Sequence, residues 1–437
     1  MATAFSSHEE IRRDPPGSDP AAGTEASPPV PVIVNYQTWL PLTENWLHTQ
    51  LAGLPSSVEP VVVCSRTRSL DALEGNGFRY RRARSATVRV DGNIVAFEEL
   101  SRFERWRLLA GALPALRGRV TRKGALLRAV SGQQGARVVH SHFGYTGFRS
   151  APAIRRLGLG HVVSFYGVDM SALPAQAPIW RDRYLSLFKD VDNVLIEGPH
   201  MAAKLRALGC PDDKLRIQHL GVDLSRLPFR PFPWYVGQPL KVLIASSFRE
   251  KKGIPFGIEA LARLAEHVPL LVTIVGDAGA DRKTQLERRK IEDAHSRSGL
   301  GSRVNFTGYV AHDRLIDLAY RHHIYLAPSC TAEDGDSEGG APVTLMEMAA
   351  AGLLVVSSRH ADIPEVIPDG VCGLLADEGD VDGLVDHLVW LAEHRDAWVR
   401  LRWAARQRVE AEFESHACGR QLAGIYREVA VAHAANG

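Results

Sequence analysis

Short apolar runs rich in Val, Ile and Leu alternate with helical stretches along almost the whole chain, and this alternation limits the fold more than any other feature. In the first half such runs cover residues 30–35, 60–64, 136–142, 161–165 and 193–196. In the second half they cover residues 241–247, 270–277, 303–308, 324–328 and 353–358. Runs that are apolar throughout are typical of parallel strands with both faces covered. The pattern predicts an α/β protein built from two doubly wound units.

A segment rich in proline and aromatic residues, LPFRPFPWYVGQP, separates the two halves. Neither a helix nor a central strand can continue through it, and a ligand is expected in the cleft between the units, at the carboxyl ends of the strands. The expected segments are a disordered leader over 1–28, a first domain over 29–228, a hinge over 229–239, a second domain over 240–412, and a crossover helix and tail over 413–437.

Composition excludes several classes of protein. The 437 residues include 52 basic and 50 acidic side chains, a formal net charge of +2, so no nucleic-acid partner is expected. The five cysteines are scattered and never spaced as CxxC, which favours reduced thiols in a cytoplasmic protein over a disulfide framework or a zinc site. No apolar run reaches ~18 residues, so no membrane span is predicted, and the first residues contain no apolar signal core.

The stretch EDGDSEGGAPVTLMEMAAAGLLVVSS predicts a helix that follows a glycine-rich loop. Pro342 suits the first position of a helix, Val343 to Ala351 follow it without a helix breaker, and Gly352 suits the residue after the helix end. The free backbone N–H groups of Val343 and Thr344, at the positive end of the helix dipole, would then bind a phosphate.

Two carboxylates flank this predicted helix start. Gly339 and Gly340 would let a ligand approach the backbone closely. Because a carboxylate repels phosphate, Glu338 and Glu347 are expected to accept hydrogen bonds from sugar hydroxyls instead. An acidic loop before an ordinary helix that carries a surface glutamate explains the local pattern equally well.

A basic cluster follows the first strand of the second half. In SSFREKKG, Arg249, Lys251 and Lys252 come just after the strand KVLIA, where a cation would neutralise a departing diphosphate. A solvated turn with ordinary surface charge is the alternative.

Motifs in a shared order extend from about residue 30 to about residue 430. They include VVHSHFGYTG, VVSFYGVDMS, FREKKGI, VGDAG, FTGYV and EGGAPVTLMEMAAAGLLVVSSRHADIPEVIPDGVCGLL. Together they resemble the retaining glycosyltransferases of family 4, whose GT-B fold has two Rossmann-like domains facing a central cleft and a C-terminal helix that crosses back. The stretch TWLPLTENWLHTQ is similar to the bacterial exopolysaccharide branch of the colanic-acid type.

The resemblance implies roles for individual residues of the second domain. Lys252 matches the lysine that binds the donor diphosphate. Ser247 stands where the family usually has an arginine, so Arg249 is expected to replace that arginine. Glu347 matches the acid that holds the nucleotide ribose, and Glu338 matches the acid that contacts the donor sugar.

The spacing of the two acids departs from the family pattern. Eight residues separate Glu338 from Glu347, whereas the family usually has seven, so a one-residue bulge at the glycine pair is expected to restore the position of Glu338. Further donor contacts are implied at Gly276, Tyr309, Val310, Gly339, Gly340, Ala341, Pro342, Val343 and Thr344.

The first domain departs further. Tyr166, in SFYGVD, stands where many members of the family have a histidine near the reacting carbon. His142, the second histidine of HSH, is expected to face the cleft at a strand end as a further catalytic residue. His140 is expected to be a strand residue with a structural hydrogen bond.

The reaction implied is transfer of a sugar from a UDP- or GDP-linked donor with retention of the anomeric configuration. In such families the departing phosphate is thought to take the acceptor's proton on the same face. No cofactor or metal ion is expected besides this donor, because the DGD triplet at residues 334–336 has little specificity and a bare carboxylate pair rarely forms a magnesium site. The acceptor is left open between a glycan, a lipid-linked glycan and a small molecule, and so is the oligomeric state.

Two other classes compete with a glycosyltransferase. One is another GT-B enzyme, such as a glycosyl phosphorylase or a nucleotide-sugar epimerase; the other is a non-catalytic sugar-nucleotide-binding protein, suggested by Tyr166 and Ser247. A dinucleotide dehydrogenase is disfavoured because no GxGxxG follows the first strand of either unit. The basic tract over residues 101–130 fits peripheral contact with the inner membrane face, a solvated helical face or a site for an anionic acceptor.

Overall fold

The computed structural model describes residues 29–39, 45–67, 88–90, 92–96, 102–113, 121–235 and 237–435. The leader predicted over residues 1–28 lies outside the described residues. Within them the chain forms two α/β units, each built on one large sheet.

The strands of the first unit are β1 Val30–Asn35, β2 Thr38–Trp39, β3 Val58–Cys64, β4 Arg66–Thr67, β5 Val88–Val90, β6 Gly92–Ala96, β7 Val138–His142, β8 Gly160–Ser164, β9 Asn193–Ile196 and β10 Leu215–Ile217. Its helices are α1 Asn45–Ala52, α2 Arg102–Ala112, α3 Arg122–Gln134, α4 Gly144–Arg156, α5 Gly167–Met170, α6 Ala172–Gln176, α7 Ile179–Asp190 and α8 Pro199–Ala207.

The strands of the second unit are β11 Leu240–Ala245, β12 Leu270–Val275, β13 Val304–Gly308, β14 Ile324–Ala327, β15 Leu354–Ser358 and β16 Leu374–Ala376. The helices that follow β11 in the chain are α9 Ile254–Leu264, α10 Arg282–Arg297, α11 His312–Ala319, α12 Val343–Ala351, α13 Ile363–Val366, α14 Val381–Glu393, α15 Ala397–Glu412 and α16 Ser415–Ala435.

Both main sheets have crossover connections and parallel pairing. The first has the order β10-β9-β8-β7-β1-β3-β6-β5, with only the edge pair β5–β6 antiparallel. The second has the order β13-β12-β11-β14-β15-β16. The predicted α/β class and the ten predicted strands are confirmed. Strands β2, β4, β5, β6, β10 and β16 were not predicted, because runs of two to five residues are too short for a clear periodicity.

Each sheet is covered on both faces, which is why its strands are apolar throughout. In the first sheet Ile33 packs with α3 and α4, whereas its neighbour Val32 packs with α16. In the second sheet Val242 packs with α9 and α14, whereas Leu243 packs with α12 and α15. The C-terminal helix α16 therefore returns to cover the first sheet, as expected for the crossover.

The chain crosses from one unit to the other at two points, and backbone hydrogen bonds join these two crossings. The N–H of Val222 donates to the carbonyl of Phe413 at 2.8 Å, and the N–H of Ser415 donates to the carbonyl of Val222 at 3.0 Å. The proline-rich segment packs along the second unit, where Trp234 stacks on Trp398 with ring centroids 5.5 Å apart. The hinge boundaries expected at residues 229 and 239 stay a prediction.

Candidate functional site

A cavity of about 240 Å³ lies between the units, at the carboxyl ends of β11, β12 and β14. The helices α11 and α12 close it on one side, and Trp46 of α1 reaches it from the first unit. Nine of the residues expected to bind the donor line it: Ser247, Lys252, Gly276, Tyr309, Val310, Pro342, Val343, Thr344 and Glu347.

The start of α12 points free backbone N–H groups at this cavity. The helix begins at Val343 and ends at Ala351, before the glycine that was predicted to follow it. Pro342 is not its first residue, however, but the residue before it, with an extended ψ of 129°. Within the described residues no carbonyl or side chain accepts the N–H groups of Val343 and Thr344, whereas Leu345 donates to Pro342 at 2.9 Å. Two unsatisfied donors at a positive helix end suit an anion.

The opposite wall of the cavity depends on one glycine. Gly276 follows β12 with φ of +125°, and a Cβ there would overlap the carbonyl oxygen of Ser246. Glycine alone fits this backbone, so the ends of β11 and β12 can lie close together beside Ser247.

Lys252 and Glu338 form an ion pair at the edge of the cavity. The ammonium nitrogen of Lys252 lies 2.6 Å from Oε1 of Glu338, and that of Lys251 lies 4.0 Å from Oε2. Ser329 donates to Oε1 at 3.2 Å. Burial alone would raise the pKa of Glu338, but the two ammonium groups outweigh it and lower this pKa to about 2. Glu338 is therefore a carboxylate at every physiological pH, and it lies behind Lys252 instead of lining the cavity.

The loop around Glu338 contacts the first unit directly. Gly339 has φ of +82°, and a Cβ on it would lie 2.5 Å from the backbone nitrogen of Gly167. A Cβ on Gly340 would overlap the carboxylate of Glu197. The glycine pair thus permits close approach of the two units, whereas the sequence suggested close approach of a ligand. Glu338, Gly339, Gly340 and Ala341 do not line the cavity.

A second contact joins the units nearby. Asp362 accepts hydrogen bonds from the backbone N–H groups of His200 at 2.7 Å and Met201 at 3.3 Å. It therefore caps helix α8 of the first unit from the second unit. Burial raises the pKa of Asp362 to about 6, although these N–H bonds oppose the shift.

Glu347 is held by a histidine that sequence reasoning missed. His312, the first residue of α11, donates from Nε2 to Oε1 of Glu347 at 2.7 Å. This hydrogen bond raises the pKa of His312 against the effect of burial. Both residues line the main cavity and an adjoining cavity of about 340 Å³ near the chain crossing. A histidine just after a strand was the available signal, but its partner is 35 residues away in sequence.

Arg249 lies on another face of the basic loop. Its side chain is exposed and lines a neighbouring cavity of about 380 Å³ between α6 and α10, not the main cavity. It has no ion-pair partner within the part of the chain that the structure describes. Lys251 lines the same neighbouring cavity, where it pairs with Asp336 at 3.2 Å.

Tyr166 and His142 lie together but behind the cavity wall. The hydroxyl of Tyr166 lies 2.8 Å from Nδ1 of His142. Trp46, with its ring centroid 4.8 Å from that of Tyr166, forms the part of this wall that reaches the cavity. Burial lowers the pKa of His142 to about 3, so its ring is neutral. The expectation that His142 faces the cleft is wrong, because its side chain is fully buried.

His140 has the structural role expected of it. Its ring nitrogens lie 2.6 Å from the hydroxyl of Tyr426 and 2.8 Å from that of Ser164. This contact also ties the crossover helix α16 to the first sheet.

Both aspartates of the DGD triplet form ion pairs with lysine side chains. Asp334 pairs with Lys283 at 2.7 Å, and Asp336 pairs with Lys251. Among the described residues no cluster of three or more His, Cys, Asp or Glu side chains could hold a metal ion. Metal independence itself stays a prediction.

Comparison with known proteins agrees with this geometry. The family models described as "Glycosyltransferase Family 4" and "Glycosyl transferases group 1" match residues 43–226 and 239–394. The amylovoran biosynthesis glycosyltransferase of Erwinia amylovora is 35% identical over 295 residues, which cover 66% of this chain and 69% of that protein. A Salmonella typhimurium protein, also named as a colanic acid biosynthesis glycosyltransferase, is 31% identical over 301 residues, which cover 67% of this chain and 71% of that protein.

The fold has solved counterparts. Anabaena HepE, solved in complex with UDP-glucose, superposes with a TM-score of 0.70 at 16% identity and covers 91% of this chain and 99% of its own. At this identity the likeness concerns the fold alone. The relatives, the family models and the architecture of two α/β units, each built on one parallel sheet, together show that the chain is a glycosyltransferase of family 4 with the GT-B fold.

Proposed function

We propose that the protein transfers a sugar from a nucleoside-diphosphate sugar to an acceptor, with retention of the anomeric configuration. The main support for this proposal is that a single cavity is lined by Lys252, by Val343 and Thr344 with their free amides, and by Glu347. A cation and helix amides suit a diphosphate, and a carboxylate suits ribose hydroxyls. The UDP-glucose of Anabaena HepE, a protein of the same fold, supports this choice of donor.

In the proposed step the bond from the anomeric carbon to the diphosphate oxygen breaks, and the bond to the acceptor oxygen or sulfur forms on the same face. The departing phosphate oxygen takes the acceptor's proton, so charge and atoms balance without an enzymic base. The burial of His142 behind Trp46 is in keeping with such a mechanism. Lys252 and the α12 amides would stabilise the negative charge that develops on the leaving diphosphate.

Lys252 is suited to serve two partners at once. An ammonium group has three N–H donors, and one of them is directed at Glu338 in the ion pair described above. The others remain for the diphosphate. The sequence suggested that Glu338 contacts the donor sugar, but Glu338 does not line the cavity, so we propose that it acts by holding Lys252 in place. Arg249, exposed and without an ion-pair partner among the described residues, is proposed to swing to the diphosphate when the donor binds.

A lipid-linked acceptor would be met at a membrane surface, and α2 supports peripheral contact of that kind. Phe103 and Trp106 are 67% and 66% exposed on this helix, beside the exposed Arg102 and Arg107. Exposed aromatic and cationic side chains on one helix suit an anionic interface. None of the described helices is both long enough and apolar enough to span a bilayer. More protein should co-sediment with vesicles that contain anionic lipid than with vesicles that lack it, and F103A/W106A should remove that difference. Equal sedimentation of both proteins would contradict the contact.

The test of the proposed reaction is a donor screen. The purified protein is incubated with UDP- and GDP-sugars and with glycan or lipid-linked acceptors, and the released nucleoside diphosphate and the anomer of the product are measured by mass spectrometry and NMR. Release of nucleoside diphosphate with a retained anomer is expected, and it should fall in Lys252→Ala. Sugar 1-phosphate formed from a glycan and phosphate would indicate a phosphorylase. Donor binding without turnover for any acceptor would indicate a non-catalytic protein.

A further inference from the structure

The loop that carries Glu338 has little regular structure to hold it. Between the end of β14 at Ala327 and the start of α12 at Val343 the described chain forms neither helix nor strand. Its position must therefore come from individual contacts. A side chain that positions Lys252 from such a loop needs firm support, because a small displacement at the reacting centre reduces turnover strongly.

One of these contacts is made to the main chain of Glu338. The backbone N–H of Glu338 donates to Nε2 of His360 at 3.1 Å, and His360 is 1% exposed. On its other side the ring lies 2.6 Å from Oε1 of Glu378. Since Nε2 accepts a hydrogen bond from the N–H of Glu338, it carries no hydrogen, so Nδ1 carries the hydrogen and donates a hydrogen bond to Glu378. Glu378 thus selects the tautomer of His360 that can accept the Glu338 N–H.

His360 and Glu378 are themselves placed by the sheet. His360 comes two residues after β15, Glu378 comes two residues after β16, and Arg359 donates to the carbonyl of Ala376 at 2.8 Å across these strand ends. Glu378 also accepts the N–H of Thr331 at 2.7 Å through Oε2. One carboxylate therefore anchors both ends of the segment from Thr331 to Glu338.

We infer that His360, held by Glu378, is a positioning residue that fixes the main chain of Glu338 and so places its carboxylate beside Lys252. The inference rests on the proposed function and adds to it the source of the catalytic geometry. The ring makes no contact with the cavity, whose lining excludes His360, so its influence would pass through Glu338 alone.

Two substitutions separate the two hydrogen bonds of the ring. Gln at position 360 can place its amide oxygen near the Nε2 position and accept the Glu338 N–H. Asn is shorter and reaches only the Nδ1 position, so it can meet Glu378 but not Glu338. H360N is expected to lose about 100-fold in kcat, the cost of a displacement of about 1 Å at a reacting centre, while the Kd for nucleoside diphosphate changes less than about threefold. H360Q is expected to keep most of the activity.

The matched control is another buried histidine away from the cavity. His322 is 6% exposed and bonds to Leu318 and Thr273. H322N should lower the melting temperature and leave kcat unchanged. If the effect of H360N were only structural, its kcat would follow H322N.

A measurement without turnover keeps the inference testable even if no donor is found. Hydrogen–deuterium exchange of the peptide that covers residues 332–342 reports the protection of the Glu338 amide. Protection should be lost in H360N, partly lost in E378Q, because a glutamine cannot accept from both His360 and Thr331, and retained in H360Q. Equal protection and equal kcat in H360N, H360Q and the wild type would overturn the role of His360. A wild type without nucleoside-diphosphate release would overturn only the proposed function.

Discussion

Gly339→Ala is expected to lower the catalytic rate without weakening nucleoside-diphosphate binding. A Cβ on Gly339 would lie 2.5 Å from the nitrogen and 2.6 Å from the Cα of Gly167, and both of these are backbone atoms that cannot rotate away. Ordinary van der Waals contact begins at 3.4 Å, so the loop and the first unit must move apart by about 1 Å. A displacement of that size at a reacting centre costs about 100-fold in rate.

The expected signature is a loss of kcat with intact binding. Gly339 does not line the cavity, so the Kd for nucleoside diphosphate, measured by titration calorimetry, should change less than threefold, by about 0.7 kcal/mol at most. Steady-state release of nucleoside diphosphate should fall about 100-fold. Gly167→Ala should behave alike, because its Cβ would overlap the backbone of Ser337.

Gly370→Ala is the control for backbone strain. Gly370 has φ of +70°, but a Cβ there meets nothing within 4 Å, so this variant carries the cost of about 1 kcal/mol of a left-handed residue without the collision. It should lower the melting temperature and keep wild-type kcat. If a folded Gly339→Ala had the kcat of Gly370→Ala, the claim that close contact of the two units sets the catalytic geometry would be refuted.

Further predictions concern charges around the cavity. Lys252→Ala should lower kcat by about 100-fold or more, as removal of a group that stabilises developing charge does; Arg249→Ala should do the same, and unchanged kcat would show that Arg249 does not replace the usual arginine. Glu347→Ala should weaken nucleoside-diphosphate binding with little change in kcat, because a ribose contact is equal in ground and transition states; a loss confined to kcat would contradict the ribose role. Burial and the nearby charges of Asp362 and Glu338 raise the pKa of Glu197 to about 8 from 4.5. The folded protein thus keeps a proton that the unfolded chain releases, and stability falls as pH rises from about 4.5 to about 8. The melting temperature of Glu197→Gln should therefore be at least about 3 °C above that of the wild type at pH 9, and the two melting temperatures should be equal at pH 4. The same difference at both pH values would show that ionisation of Glu197 is not the cause.

The architecture follows from local sequence, whereas several site contacts do not. Uninterrupted apolar runs predict buried parallel strands directly, and the amides at the start of α12 follow from the loop, the helix and its final glycine. Lys252 and Glu347 line one cavity because strand ends and helix starts converge at one edge of a sheet, and their roles in donor binding stay a prediction.

The remaining site features depend on which way a side chain points and on partners far away in sequence. Arg249 is three residues from Lys252, yet its side chain lines a different cavity. His142 ends a strand at the expected edge, but the rings of Tyr36, Tyr166 and Trp46 pack around it, and no periodicity predicts that packing. His312 and His360 are positioned by glutamates 35 and 18 residues away. The sequence contains these residues but does not indicate which histidine contacts which glutamate.

Titration calorimetry of UDP and GDP against the wild type and Lys252→Ala determines whether the cavity at the start of α12 binds a nucleoside diphosphate. At least one of the two nucleotides should bind the wild type, its monophosphate should bind more weakly, and Lys252→Ala should reduce the affinity for the diphosphate by at least about tenfold, or 1.4 kcal/mol. If neither diphosphate binds, or if Lys252→Ala binds it as tightly as the wild type, this cavity is not the donor site.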